Sequence, residues 1–236
     1  MDDIEIFPTL DVPGLTRSDL ALIQGHFCRY LDGFRDRAGA LPFMLRLKWE
    51  HSQRVAEDMR SMSAELGWAE SVVFAATALG LLHDLGRFEQ YRRYQTFRDA
   101  DSVDHGALGA MILEDTGWLK NYPAQLRSQL IYGIRMHNAR FLPDGAGPES
   151  GALLRLVRDA DKLDIYLVLY EAWRDGQALR EPDVFHNVDI HGPPSAAVLD
   201  DLRARRIVCH GNVRSLADFF LTQLSWVYDL NYSAAY

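Results

Sequence analysis

The sequence predicts an all-α protein, and two observations lead to this fold class. Apolar residues recur at intervals of three and four, as Leu20, Ile23, Phe27 and Leu31 do, and this spacing places side chains on one face of a helix. No stretch shows the strict alternation of polar and apolar residues that is typical of a half-buried strand. We therefore expect one globular multi-helix domain over residues 1–236, with its central part at about residues 47–170.

The beginning of the chain predicts three helices in succession. After an extended lead-in, Ser18 is predicted to cap a helix that runs through LALIQGHFCRYLDGF. A second helix fits Arg46–Leu66, because the glycine that follows it is a typical residue at a helix end. The third helix, Ala69–His83, is apolar on most of its sides, which predicts a central position in the core.

The rest of the chain predicts further helices and three irregular stretches. Residues 88–103 are polar and lack a clear period, so they are predicted as a loop with at most a short helix. Residues 138–151 are rich in glycine and proline and predict a loop, and residues 176–194 are irregular with room for a short hairpin. Helices are expected at Asp104–Glu114, Ala124–Met136, Gly151–Trp173, Ser195–Arg206 and Ser215–Leu230.

The composition excludes several classes of function. A net charge of −8 argues against broad electrostatic binding to nucleic acid or to an anionic membrane. The two cysteines, Cys28 and Cys209, form neither a disulfide framework nor a cysteine zinc motif. The acidic start MDDIEIFPTL lacks the pattern of a signal peptide, and no apolar run approaches the ~20 residues of a membrane span. A cytoplasmic location is therefore expected, and no pattern specifies an oligomeric state.

Several polar residues occupy positions where the helical pattern predicts apolar ones. On the second predicted helix, His51 falls on the apolar stripe that continues with Val55. On the helix predicted at 151–173, Asp161 follows Val157 on the inward face. The same argument directs four histidines and two aspartates toward one core, namely His51, His83, Asp84, His105, His137 and Asp161.

A metal centre is the simplest explanation of this set. A single inward histidine is more often a hydrogen-bonded core residue, and Asp161 could pair with Arg158 or Lys162. Burying an ionised carboxylate without a cation costs on the order of several kcal/mol, however, and lysine and arginine are scarce on these stripes. Imidazole and carboxylate without thiolate indicate iron, manganese, zinc, cobalt or nickel, with magnesium as a further candidate. Because six ligands exceed what one catalytic ion takes, one ion or two ions sharing an aspartate are expected, and two fit better.

The order of these residues resembles a known family. The segments EHSQRVA, LLHDLGR and VRDADKLD are similar to the H…HD…D signature of the HD superfamily of metal-dependent phosphohydrolases. The segments RRYQTFRDADSVDHGALGA and LSWVYDLNY resemble a bacterial branch whose members mostly have no assigned substrate. The resemblance implies an HD-domain fold with the metal site in its helical core. It also implies one ion held by His51, His83, Asp84 and Asp161, and a second held by His105 and His137, with Asp84 bridging.

The resemblance implies hydrolysis of a phosphate ester, in a nucleotide or another small phosphorylated metabolite, by a metal-activated water. Asp84 and Arg87 are the residues expected to act in catalysis, Arg87 by holding the phosphate through its fork of donors. Alternatively, Arg87 is a surface residue paired with Glu89 or nearby acids. The chain lacks the GYP tripeptide and has Arg87 where HD-GYP enzymes place a lysine, which argues against cyclic dinucleotides as substrates.

Two other functions remain open for this ligand set. HD-fold proteins that resemble inositol oxygenase use the same four histidines and two aspartates to hold a di-iron centre, which would act on a polyol or a phosphonate. A non-catalytic nucleotide-binding sensor is ranked last, because such proteins usually lose a ligand and all six are present here.

Overall fold

The computed structural model describes residue 10 and residues 13–143, 147–176 and 188–235. Within these ranges the chain consists of α-helices and short 3-10 turns without a β-strand, which confirms the all-α fold class. The α-helices are α1 (Arg17–Asp32), α2 (Phe43–Glu65), α3 (Glu70–Leu82), α4 (Leu85–Tyr94), α5 (His105–Thr116), α6 (Ala124–Met136), α7 (Pro148–Arg174), α8 (Ala196–Arg203) and α9 (Leu216–Ser225).

The chain divides into two compact units by its internal packing. The first unit comprises Met1–Asp161 together with Tyr232–Tyr236, and the second comprises Lys162–Asn231. All six candidate metal ligands belong to the first unit. The expectation of one domain over residues 1–236 stays a prediction.

Helix α3 lies at the centre of the first unit, as its apolar composition predicts. It packs against α1, α2 and α6, and its residues from Val72 to Leu82 are buried on almost every side. Fully burying one leucine contributes roughly 1.5–3 kcal/mol to stability. The end of α3 is therefore a rigid place from which to hold the side chains that follow it.

The beginnings of three helices differ from the prediction. Thr16, not Ser18, caps α1: its side chain accepts from the backbone N–H of Asp19, and the Asp19 carboxylate accepts from the Thr16 N–H. Ser18 lies inside the first turn, where it cannot serve as a cap. Helices α2 and α7 begin earlier than predicted, at Phe43 and Pro148. Pro42 is the N-cap residue of α2, and Pro148 occupies the first position of α7, where proline is compatible with a helix.

Residues 88–103, predicted as a loop with at most a short helix, begin with the second part of a helix. Helix α4 extends to Tyr94 and is ended by Gln95, whose φ of 53° lies in the left-handed region. The buried Glu89 forms ion pairs with Arg92 and Arg93, three and four residues later. Pairs at these spacings on one helix stabilise it. Only Phe88 and Leu85 mark its apolar face, which is too few residues to reveal the period.

The second unit has a small apolar core of its own. Its fully packed members are Leu169, Leu216 and Phe219, surrounded by the partly buried Ile165, Val188, Ile190, Val213 and Phe220. Most of the stretch for which a hairpin was predicted lies outside the described residues, and the described remainder forms one isolated parallel bridge, from Asp189 to Ser215. None of the helices in the described ranges has the length and apolar character to cross a bilayer.

Candidate metal centre

The six predicted ligands converge in the first unit from five helices. His51 lies in the middle of α2, and His83 and Asp84 lie between α3 and α4. His105 is the first residue of α5, His137 directly follows α6, and Asp161 lies on α7. The four histidines and Asp84 are at most 4% exposed, and the side chain of Asp161 is 21% exposed.

Asp84 lies between two pairs of histidines. Its Oδ2 atom is 3.5 Å from His51 Nε2 and 3.6 Å from His83 Nε2. Its Oδ1 atom is 3.4 Å from His105 Nε2 and 3.7 Å from His137 Nε2. The two oxygens of one carboxylate therefore face two separate groups of ring nitrogens.

Asp161 completes the first of these groups. Its Oδ1 atom is 3.1 Å from His51 Nε2 and 3.7 Å from His83 Nε2. One ligand atom from each of His51, His83 and Asp161 can be chosen so that all lie within 4.8 Å of one another, and the same holds for His83, Asp84 and His137.

The carboxylate of Asp84 does not cap helix α4, although Asp84 is at the N-cap position. Asp84 is the N-cap residue of α4, where an aspartate normally accepts a hydrogen bond from the first turn, but its side chain makes no such bond. Its Oδ2 atom instead accepts from the ammonium of Lys48 at 2.8 Å. Burial alone would raise the pKa of Asp84, but the positive charge of Lys48 and the other surrounding donors hold it well below its ordinary value. Asp84 is therefore ionised at neutral pH.

Three of the histidines have a defined proton position. The Nδ1 atoms of His83 and His137 lie 2.7 Å from the carbonyl oxygens of Gly80 and Ile134, and His105 Nδ1 lies 2.7 Å from a carboxylate oxygen of Asp99. Carbonyl and carboxylate oxygens accept hydrogen bonds, so each Nδ1 carries the proton. In the neutral imidazole the Nε2 atom then presents a lone pair to the site.

The facing lone pairs fit a metal centre. The Nε2 atoms of His105 and His137 lie 3.0 Å apart, and those of His51 and His83 lie 3.2 Å apart. Two ligands that are each about 2.1 Å from one ion at a right angle are about 3.0 Å apart. Burial and the charge of Arg87 lower the pKa of His105 to about 4, although its bond to Asp99 acts in the opposite direction. His105 is thus neutral at pH 7, the form that binds a metal.

Close helix packing at Gly86 and Gly106 brings the ligands together. A Cβ atom on Gly86 would lie 2.1 Å from the carbonyl oxygen of His105, and one on Gly106 would lie 2.8 Å from the carbonyl oxygen of Arg135. Any larger residue at Gly86 would push α5 away from α4. The glycine of the LLHDLGR segment therefore sets the distance between Asp84 and His105.

Arg87 lies beside Asp84 and is mostly buried, with 16% of its side chain exposed. Its Nε atom is 3.4 Å from Asp84 Oδ1, and its Nη1 atom donates to Asp99 and Gln90 at 2.9 Å and to the carbonyl of Phe97. Of the alternative partners, Glu89 binds Arg92 and Arg93 instead, but Arg87 does pair with nearby acids, with Asp99 at 2.9 Å and with Asp84 at 3.4 Å.

Two residues near the site are absent from the sequence prediction. Lys48 precedes His51 by three residues, and this spacing on α2 is the signal that places both side chains on one face. Asp99 contacts His105 from a 3-10 turn, and no periodic pattern points to it.

A family model for the HD domain matches residues 49–166, a span that includes all six candidate ligands. The chain belongs to the HD domain family. HD domains are generally metal-dependent hydrolases that bind divalent ions, and the buried histidine and aspartate groups of this HD domain are compatible with such a site. A search of curated proteins and a search of solved structures each found no match.

Proposed function

We propose that this HD domain hydrolyses a phosphate ester, in a nucleotide or another small phosphorylated metabolite, at a centre of two divalent metal ions. The observation that carries the proposal is the division of the Asp84 carboxylate between two histidine pairs. One carboxylate that faces two groups of nitrogen lone pairs is the arrangement expected of a bridging ligand.

The proposed ligands fall into two groups that share Asp84. The first ion would be held by His51, His83, Asp84 and Asp161, and the second by His105, His137 and Asp84. The donor set suits iron, manganese, zinc, cobalt or nickel, and magnesium less well. When bound, such ions polarise phosphoryl oxygens and lower the pKa of a coordinated water toward neutrality.

Two cationic side chains flank Asp84 on opposite sides and would bind the phosphate. Lys48 Nζ contacts Oδ2 at 2.8 Å, and Arg87 Nε lies near Oδ1 at 3.4 Å. Both cations lie over the ring of Phe97, at 5.7 and 5.8 Å from its centroid, which limits their movement. Arg87 Nε is buried without a hydrogen-bond partner within the described ranges. A phosphate oxygen would satisfy this donor.

The same charges bear on the oxygenase alternative. Lys48 and Arg87 favour an anionic substrate over a neutral polyol, because desolvated cations beside the site stabilise negative charge. They do not distinguish a phosphate ester from a phosphonate. The hydrolase and the oxygenase are distinguished by their co-substrates, since hydrolysis consumes water and oxygenation consumes dioxygen.

The test is a screen of phosphate esters with the purified chain of 236 residues loaded with each candidate metal, in water enriched in ¹⁸O. We expect phosphate release that carries one solvent oxygen, and loss of this release in Asp84→Ala. Oxygen uptake by the anaerobically reconstituted iron form, with a phosphonate or polyol and without solvent oxygen in the product, would instead support the oxygenase. Tight nucleotide binding to the two-metal form without turnover would support the sensor.

A further inference from the structure

His105 needs a hydrogen-bond acceptor that its own helix cannot provide. His83 and His137 directly follow α3 and α6, where the carbonyl groups of the last turn have no partner within the helix. Each donates its Nδ1 proton to a carbonyl three residues back, at 2.7 Å. His105 is the first residue of α5, where the free backbone groups are N–H donors. Its Nδ1 proton therefore requires an acceptor from another segment.

Asp99 provides this acceptor. It lies six residues before His105 on the 3-10 turn Asp99–Asp101, and its carboxylate oxygens are 2.7 and 2.9 Å from His105 Nδ1. Asn138 donates to the same carboxylate at 3.2 Å, and Arg87 does so at 2.9 Å. Side chains from three separate segments thus fix the orientation of one carboxylate.

The turn itself is fixed by a buried amide. Gln90 on α4 is fully buried, and its Nε2 atom lies 2.8 Å from Asp99 Oδ1 and 2.9 Å from both Ser102 Oγ and the carbonyl oxygen of Val103. Breaking such a buried network leaves polar groups without partners, which is costly. The position of Asp99 therefore depends on the packing of α4 against the turn.

We propose that Asp99 is the positioning residue for His105, and that the segment 95–104 thereby sets the affinity of the second metal position. The inference rests on the proposed function, because it assigns His105 to the second ion. The carboxylate holds the His105 ring with Nε2 directed into the site and makes the imidazole a stronger donor. The affinity of the first metal position does not depend on Asp99, because its ligand His83 is oriented by a backbone carbonyl.

The direct test compares Asp99→Asn with Asp101→Asn in the metal-free chain of 236 residues. Asp101 lies on the same 3-10 turn, is exposed and pairs only locally with Arg98, so it controls for changes in charge and turn structure. Calorimetric titration with Mn²⁺ and with Zn²⁺ measures the two binding steps. We expect Asp99→Asn to weaken the second step by about 10–100-fold and to leave the first unchanged, and Asp101→Asn to match the wild type.

The outcomes separate this inference from the proposed function. If the wild type binds two ions and Asp99→Asn binds the second with equal affinity, the inference is overturned and the two-metal site stands. If the wild type binds a single ion, both are overturned.

A second measurement does not require metal at all. In the ¹⁵N spectra of the histidine rings, we expect the wild-type His105 to carry its proton on Nδ1 and Asp99→Asn to show a larger Nε2-protonated fraction. Should Asp99→Asn lose its helical circular dichroism, Gln90→Met keeps the Asp99 carboxylate and removes the amide that fixes the turn, together with the bond from Arg87 to the Gln90 oxygen. Gln90→Met is expected to weaken the binding of the second ion and not of the first. An unchanged affinity for the second ion in this variant contradicts the inference.

Discussion

The Nε2 atoms of His105 and His137 lie 3.0 Å apart, while the Nδ1 atoms of both rings donate to oxygen acceptors. Two nitrogen lone pairs therefore face each other in a buried space, next to an oxygen of the ionised Asp84. Without a cation between them this arrangement is repulsive, and with one it is a binding site.

Removal of metal is expected to destabilise the protein. A ligand present at about 100 times its Kd contributes about 2.7 kcal/mol to the free energy of unfolding, which corresponds to a shift of roughly 5–11 °C in Tm for a chain of this size. Thermal denaturation followed by circular dichroism, before and after chelation and after re-addition of Zn²⁺ or Mn²⁺, measures the effect. Ca²⁺ serves as the control, because it prefers oxygen ligands. Equal Tm values with and without transition metal would contradict the metal centre.

Asp84→Ala is expected to reduce the content of both ions, because both histidine pairs face this one carboxylate. Elemental analysis of the purified variant should give far less metal than the wild type. Asp115→Ala, which changes an exposed aspartate on α5, is the matched control and should retain wild-type content. An Asp84→Ala protein that still holds two ions would show that Asp84 is not shared.

Lys48→Met is expected to raise KM for the phosphate ester and to leave the metal content intact. A hydrogen bond to a charged group contributes about 1.5–3 kcal/mol, so KM should rise by roughly ten-fold or more. The ammonium of Lys48 lies over the Phe97 ring, and a methionine sulfur can contact an aromatic ring in its place without the charge. Lys120→Met, at an exposed position, is the control. A wild-type KM in Lys48→Met would remove Lys48 from the substrate site.

Gly86→Ala and Gly25→Ala are expected to change stability in opposite directions. The added Cβ at Gly86 would lie 2.1 Å from the His105 carbonyl oxygen, and the required helix shift should cost about 1–3 kcal/mol and weaken the second ion. At Gly25, within α1, the added Cβ would make only an ordinary contact with Arg29 at 3.5 Å, so the better helix propensity of alanine should stabilise by about 0.8–1 kcal/mol. Urea denaturation measures both, and a neutral Gly86→Ala would show that α5 can move freely.

Asp218 is expected to make the stability of the second unit dependent on pH. Its buried carboxylate accepts from the backbone N–H groups of Ser195 at 2.6 Å and Arg214 at 2.9 Å. Burial alone would raise the pKa of Asp218, but its hydrogen bonds from Ser195 and the backbone lower it below the ordinary value. Because the pKa is lower in the folded state, this stabilisation is complete above the unfolded value of ~3.9 and is lost as the pH falls through the folded pKa.

Asp218→Asn should therefore destabilise strongly at pH 7 and less at pH 3, as measured by urea denaturation at both pH values. Asp200→Asn provides the control, because Asp200 is exposed and bonds only to Arg203 on its own helix. An equal loss of stability for Asp218→Asn at both pH values would contradict the role of its charge.

The sequence was sufficient for the parts of the site that are determined by helical periodicity. His51 and Asp161 could be assigned to the inward face because each interrupts an apolar stripe of its own helix, a pattern that is visible in the local sequence alone. Lys48 and Asp99 could not be assigned in this way. Lys48 pairs with a carboxylate 36 residues away, and Asp99 reaches His105 through a turn whose shape is fixed by Gln90. Such contacts depend on three-dimensional packing, which periodicity does not encode.

Helix α4 shows that periodicity also fails to predict part of the fold. Its polar sequence resembles a loop, yet Glu89 and Gln90 are buried because their hydrogen bonds are satisfied by arginines and by the 3-10 turn. A hydropathy pattern counts these residues as solvent-exposed. The exposed or buried state of a polar residue depends on partners that only the folded chain provides.

His83 and His137 are oriented by their own helices, whereas His105 is not. Their rings are anchored by carbonyls of the same helix, so they are preorganised as soon as α3 and α6 form. His105 is oriented by Asp99 only when the 3-10 turn is packed against α4. Each proposed metal position therefore contains one ring that its own helix orients, His83 in the first and His137 in the second, and only the second also contains a ring whose orientation depends on a hydrogen bond to a separate turn.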